Sequence, residues 1–164
     1  MDVIWEELTA GLGDTRQLVH VLVRLLAATL LGAVIGVQRE RAGKPAGLRT
    51  HMLVTLGTAV FVLACSGVGM GYDAQSRVIQ GIVTGIGFIG AGSILKLSEQ
   101  RDVQGLTTAA GVWMTAAVGV AVGLGSLGVA LLSTVFTLII LSLAKRFERQ
   151  VDERRADEVE ARNN

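Results

Sequence analysis

Five apolar stretches of similar length, separated by short loops, constrain this chain more than any other feature of its sequence. An α-helix needs about 20 mainly apolar residues to cross a hydrocarbon core that is about 30 Å thick. Each stretch is close to that length, and together they occupy most of the 164 residues. The stretches are residues 18–37, 50–70, 78–97, 106–124 and 127–144. The sequence therefore predicts an all-α, polytopic membrane protein, with a bundle of five transmembrane helices in residues 18–144.

The segments on either side of this bundle are more polar. Residues 1–17 carry Ile4, Leu8 and Leu12 at four-residue spacing, which is typical of a short amphipathic segment on the membrane surface. A frayed terminus is the alternative for this segment. Residues 145–164 form a charged tail, which we interpret as a solvated continuation of the fifth helix. Docking of the tail to a partner is the alternative.

The distribution of Lys and Arg predicts the orientation in the membrane. Of the 15 basic residues, twelve lie in the first loop, the third loop and the tail. Loops rich in Lys and Arg stay on the cytoplasmic side. We therefore expect the N-terminus outside and the C-terminus in the cytoplasm. The net charge of +1 gives no reason to expect a nucleic-acid partner.

Glycine is abundant, with 21 residues that lie mostly inside the apolar stretches. In lipid, small residues allow helices to approach closely. One side of the third stretch is small and polar and the other is bulky, so we expect the small side to face the bundle and the bulky side to face lipid. The glycines predicted to mediate helix packing are Gly32, Gly36, Gly81, Gly85, Gly92, Gly119 and Gly123. The run from Gly85 to Gly92 could break the helix, although the periodicity of the stretch favours a continuous one.

Arg24 is the one charged residue that lies well inside an apolar stretch, about six residues or 9 Å from its outer end. A charge at that depth is usually paired. Its expected partners are Asp73, Gln80 or the backbone carbonyls near Gly69 and Gly71. We name the predicted group the outer polar cluster, with the members Arg24, Asp73, Arg77 and Gln80. Extension of Arg24 to the interface without a function, and a role in binding a ligand or ion, are the alternatives.

A second group of polar residues gathers at the predicted cytoplasmic side. This inner polar cluster comprises Glu40, Arg41, Arg49, Thr50, His51, Thr107 and Thr108. Thr107 and Thr108 stand where an N-cap is expected. His51 is interpreted as a hydrogen-bonding or interfacial residue, with proton sensing as the alternative. The apolar stretches contain no Asp or Glu, and magnesium prefers carboxylate ligands, so no metal, cofactor or catalytic site is predicted.

Four short motifs occur in order along the chain. They are Gly32-Ala33-Val34-Ile35-Gly36-Val37-Gln38-Arg39-Glu40-Arg41, Ala46-Gly47-Leu48-Arg49-Thr50-His51, Gly85-Ile86-Gly87-Phe88-Ile89-Gly90-Ala91-Gly92, and Gly105-Leu106-Thr107-Thr108-Ala109-Ala110 with Trp113. Together they resemble the MgtC/SapB family of bacterial membrane proteins, over residues 24–125.

The resemblance implies a bacterial inner-membrane protein with about five spans. Members of the family are linked to growth under magnesium limitation and to survival inside phagocytes, that is, to virulence. The resemblance also implies that the protein is not an enzyme. It would regulate other membrane machinery, such as the proton-driven ATP synthase, without carrying magnesium itself. The alternative is a small ion transporter or channel. Well-known members also carry a soluble C-terminal domain, which the charged tail does not resemble.

The stripes of small residues also predict that the chain forms an oligomer. The stripes Ala28-Gly32-Gly36, Gly81-Gly85 and Gly119-Gly123 offer more close-packing surface than five short helices need. A two-fold dimer is the commonest closed assembly, so we expect a homodimer in contact with membrane lipid. If all three stripes are used inside one bundle, the protein is instead a monomer or binds a different protein.

Overall fold

The computed structural model describes residues 14–96 and 103–143. These residues form five helices: α1 (Thr15–Arg41), α2 (Leu48–Gly67), α3 (Tyr72–Gly92), α4 (Leu106–Gly123) and α5 (Leu127–Leu143). Two short antiparallel strands, β1 (Leu95–Lys96) and β2 (Val103–Gln104), connect α3 to α4. The all-α fold with five helices is thus confirmed. Most of the predicted N-terminal segment, and the whole of the charged tail, lie outside the described residues.

Local interactions explain where the helices begin. The Asp14 side chain accepts a hydrogen bond from the backbone N–H of Gln17 at 2.9 Å, which caps α1 and starts it earlier than predicted. The first turn of α2 is capped from a distance, because Glu40 Oε2 accepts from the Leu48 N–H at 2.9 Å. Gly105 precedes α4 with a φ of 95°, which favours glycine. A Cβ at this position would also overlap the Ser93 carbonyl.

Helix α4 is the centre of the bundle. It packs against α1, α2 and α3, and half of its length is buried. Helix α5 buries one stripe, formed by Ala130, Thr134, Thr137 and Leu141. By length and composition, α1, α2 and α4 are each able to cross a membrane, and α5 is a shorter apolar helix.

Four of the predicted packing glycines lie where helices touch. A Cβ on Gly32 would come 2.7 Å from the His51 carbonyl oxygen, and one on Gly36 would come 2.6 Å from Leu48 Cα. On α4, a Cβ on Gly119 would lie 2.9 Å from Thr55 Cα. A Cβ on Gly123 would lie 2.7 Å from Val62 Cβ. Glycine therefore sets the close approach of α2 to both α1 and α4.

The prediction that the small side of α3 faces the bundle is wrong. Gly81, Gly85 and Gly92 are exposed, and a Cβ on any of them would meet no atom within 4 Å. The helix instead buries Ile86 and Gly90. The reason is size complementarity. The bulky Ile86 side chain packs in a cluster with Ala46, Val112 and Ala116, where the short side chains of α4 leave space for it. Helix α3 continues unbroken to Gly92, so the alternative of a broken helix is also excluded.

The outward side of α3 is named the open α3 face. Its members are Arg77, Gly81, Thr84, Gly85, Phe88 and Gly92, and all six are exposed. They recur every three or four residues, which places them on one side of the helix.

Candidate functional site

A group of buried polar side chains joins α1, α2 and α4 near one end of the bundle. Arg39 is 2% exposed and donates from Nη2 to Thr108 Oγ1 at 3.1 Å. Further along α4, His51 Nδ1 and Thr115 Oγ1 form a hydrogen bond of 2.7 Å. We name these four residues the buried polar cluster. Thr108 and Thr115 lie two turns apart on α4, so the cluster extends about 10 Å into the bundle.

Gly111 lies between the two hydrogen-bonded pairs. A Cβ at this position would stand 3.9 Å from both Arg39 Nε and His51 Cε1. The Thr115 hydroxyl also donates to the Gly111 carbonyl at 2.8 Å. A hydroxyl has one proton to donate, so the direction of the bond between His51 Nδ1 and Thr115 Oγ1 depends on which imidazole nitrogen carries the proton. His51 Nε2 is buried as well.

The inner polar cluster does not form a single site. His51 and Thr108 belong to the buried polar cluster, and Glu40 caps α2. The other members lie apart, with Thr50 partly buried and with Arg41, Arg49 and Thr107 exposed.

Arg39 and Thr115 were not predicted as members of a site. Arg39 falls three residues after Gly36, on the same packing side of α1. Its position within the run Arg39-Glu40-Arg41 made it look like one more basic loop residue. The signal that distinguishes Arg39 from Arg41 is its spacing from Gly32 and Gly36, which places Arg39 on the same side of α1 as the two glycines.

The predicted outer polar cluster is wrong. Arg24 Nη1 donates to the Gly123 carbonyl at 3.0 Å, and its Cζ lies 3.0 Å from where a Cβ of Gly125 would be. The side chains of Asp73, Arg77 and Gln80 are exposed. The last carbonyls of a helix have no partner within the helix, and they carry partial negative charge that attracts a cation. The C-terminal end of α4 therefore provides the partner of Arg24, which was predicted to come from α3 or the loop before it.

Replacing Arg24 with Ala should destabilise the bundle. The Gly123 carbonyl would lose its donor in a partly buried place, which costs about 1–3 kcal/mol of unfolding free energy. Arg77→Ala is the matched control, because Arg77 is exposed and should change stability by less than about 0.5 kcal/mol. Thermal unfolding of both variants in the same detergent checks this, and an equal loss in both would contradict the assignment.

A sequence model described as the MgtC family matches residues 25–150, which cover both the buried polar cluster and the open α3 face. The chain belongs to the MgtC family. The resemblance inferred from the four motifs is thereby confirmed, and this MgtC-family chain is a multi-pass membrane protein.

Several curated proteins are similar to this MgtC-family chain. Protein SrpB of Synechococcus elongatus is 47% identical over 137 residues, which cover 77% of this chain and 75% of SrpB. The putative magnesium transporter YhiD of Escherichia coli K12 is 39% identical over 74% of this chain and 59% of its own length. Protein MgtC of Salmonella typhimurium LT2 is 42% identical over 80% of this chain, but the match covers only 55% of that protein. No solved structure matches the chain.

Proposed function

We propose that this protein is a non-enzymatic regulator of the MgtC/SapB type in the bacterial cytoplasmic membrane. It supports adaptation to low magnesium and survival under stress or in a host, and it acts through contacts with other membrane proteins. The observation that carries the proposal is the open α3 face. From the distribution of Lys and Arg, we further propose that the N-terminus lies outside and that the buried polar cluster lies at the cytoplasmic end.

The open α3 face has the composition of a helix–helix interface and not of a lipid-facing surface. Gly81 and Gly85 are four residues apart with nothing within 4 Å of a Cβ, so another helix has room to approach their backbone. The Thr84 hydroxyl donates to the Gln80 carbonyl, so it does not need water. Transmembrane helices associate through small residues at this spacing, because close packing replaces contacts with lipid.

A groove beside this face gives a partner more surface. It lies between α2 and α3 and has a volume of about 640 Å³. Leu53, Gly57 and Phe61 line it on the α2 side. Gly81 and Gly85 contribute to its α3 wall, so the groove and the open α3 face are continuous.

A second copy of the chain is the first partner that we propose for this surface. The stripes Ala28-Gly32-Gly36 and Gly119-Gly123 pack inside the bundle, which leaves Gly81-Gly85 as the stripe that is available. A two-fold axis beside α3 would bring the two copies of this stripe together. Other membrane proteins, with ATP synthase as the first candidate, would then bind the homodimer.

Site-specific photo-cross-linking tests the regulatory contact. Phe88 lies on the open α3 face and is 84% exposed, whereas Phe136 on α5 is 61% exposed. Replacing each in turn with p-benzoylphenylalanine changes an aromatic residue into a similar one. After irradiation in native membranes, position 88 should give an adduct with a second copy of the chain and defined adducts with other membrane proteins, none of which position 136 gives. An adduct with a second copy alone would support the dimer and contradict the regulatory contact at this face. Equal adducts from both positions, or none from position 88, would contradict the proposal.

A small ion transporter is the second candidate function. The buried polar cluster favours it, because charged and polar groups inside a membrane commonly mark ion or proton pathways. Purified protein in liposomes should nevertheless give no flux of Mg²⁺ or protons above that of empty liposomes. A flux that is lost in Thr115→Val, while the variant remains folded in the liposomes, would favour transport over regulation.

A further inference from the structure

A second groove, which shares no lining residue with the first, lies between α1 and α5. Its volume is about 530 Å³. The lining residues are Leu30, Ala33, Val34, Val37, Gln38, Arg41 and Leu138. All but the last recur every three or four residues along α1, so they form one continuous side of that helix. The small side chain of Ala33 leaves a depression between its larger neighbours.

The length of this groove matches one leaflet of a membrane. Leu30 and Arg41 are eleven residues apart, which is about 16 Å along a helix axis. Half of a hydrocarbon core that is about 30 Å thick is about 15 Å. A transmembrane helix of a partner would extend well beyond this groove, whereas one acyl chain fits its length.

The polar end of the groove selects the headgroup. Arg41 is the last residue of α1 and is exposed, and no carboxylate lines the groove among the residues that the structure describes. The neighbouring Glu40 carboxylate is engaged elsewhere, because it accepts from the Leu48 N–H. A guanidinium group binds phosphate through two parallel hydrogen bonds. Within the described residues, the groove therefore combines an apolar body with a cationic end at Arg41.

Gln38 adds a second polar group at the same end. Its Oε1 atom is buried and has no hydrogen-bond partner within the described part of the chain. Because Oε1 has no accessible surface, a headgroup meets the other side of the amide, the Nε2 group, which is a donor. A phosphate oxygen can accept a hydrogen bond from this group.

We propose that the groove between α1 and α5 binds one anionic phospholipid. Its phosphate contacts Arg41 and Gln38, and one acyl chain lies along Val37, Val34 and Leu30 against α5. The bound lipid fills the space beside Ala33 and holds α5 against the bundle. This site is separate from the open α3 face, and its existence does not depend on the proposed function. The proposed orientation decides only that the lipid belongs to the cytoplasmic leaflet.

Native mass spectrometry of the purified protein tests the site, with phosphatidylglycerol and phosphatidylcholine of identical acyl chains as probes. Wild-type protein should retain phosphatidylglycerol in preference to phosphatidylcholine. Arg41→Gln should weaken phosphatidylglycerol binding by about fivefold or more, as expected for the loss of one cation at a lipid headgroup. Arg49→Gln is the matched control, because Arg49 is exposed but does not line the groove, and it should bind like wild type.

Two further variants separate the headgroup from the acyl chain. Arg41→Lys should keep part of the preference for the anionic lipid, and it replaces Arg41→Gln if that variant does not fold. Ala33→Leu fills the depression and should weaken binding of both lipids. The proposal is overturned if wild type shows no headgroup preference, or if Arg49→Gln weakens binding as much as Arg41→Gln. It is also overturned if inorganic phosphate alone displaces the lipid, or if Ala33→Leu converts a dimer into a monomer.

Discussion

Gly119→Ala should lower the free energy of unfolding by about 3 kcal/mol or more, and most of the variant should not fold. The added methyl group would lie 2.9 Å from Thr55 Cα and would overlap the Thr55 carbonyl and the Thr58 hydroxyl. Backbone atoms cannot move aside without separating α2 from α4. The folded fraction after extraction into mild detergent, and the unfolding midpoint by circular dichroism, measure the effect.

Gly57→Ala is the control for this substitution. It adds the same methyl group to a helix, but a Cβ at Gly57 meets no atom within 4 Å. Because Ala has a helix propensity about 1 kcal/mol better than Gly, this variant should be at least as stable as wild type. Similar losses in both variants would show that α4 does not approach α2 as closely as described.

Thr115→Val should lower the free energy of unfolding by about 1–3 kcal/mol, because it leaves a buried polar atom without a partner. The change keeps the shape of the side chain and replaces its hydroxyl with a methyl group. His51 Nδ1, which is fully buried, would then lose its 2.7 Å hydrogen bond. Chemical or thermal unfolding in detergent measures the difference.

Thr134→Val provides the same substitution without an interhelical partner. The Thr134 hydroxyl is buried, and within the described residues its one hydrogen bond goes to the Ala130 carbonyl of its own helix, at 2.8 Å. Its replacement should change stability by less than about 0.5 kcal/mol, since that carbonyl is already part of a helix. If Thr134→Val is as harmful as Thr115→Val, the bond to His51 contributes nothing specific.

The glycines show how far sequence reasoning extends in this fold. The four-residue ladder in α1 and the pair Gly119-Gly123 in α4 predicted helix contacts, and a Cβ on Gly32, Gly36, Gly119 or Gly123 would indeed clash with α2. The same pattern in α3 led to the wrong prediction of its inward side. A helix side that is formed by small residues indicates close packing against another helix, but it does not indicate whether that helix belongs to the same chain.

The polar residues were harder to place, for two physical reasons. Arg24 donates a hydrogen bond to the backbone carbonyl of Gly123. Because every residue has a backbone carbonyl, the sequence does not indicate which one is the partner. Arg39 is followed directly by the charged residues Glu40 and Arg41, and only about half a helical turn separates buried Arg39 from exposed Arg41. His51 and Thr108 were predicted as members of one inner polar cluster, but their separate partners depend on how α4 lies between α1 and α2.

The mass of the protein in lipid nanodiscs tests the central claim, that the open α3 face binds a second transmembrane helix. Gly85→Leu fills this face, and Gly128→Leu makes the same change at an exposed position of α5 where a Cβ also meets no atom within 4 Å. Both variants should remain folded. Wild type and Gly128→Leu should show twice the mass of one chain, and Gly85→Leu should show the mass of one chain. A wild-type monomer at every concentration, or a Gly85→Leu variant that stays dimeric, would contradict the account.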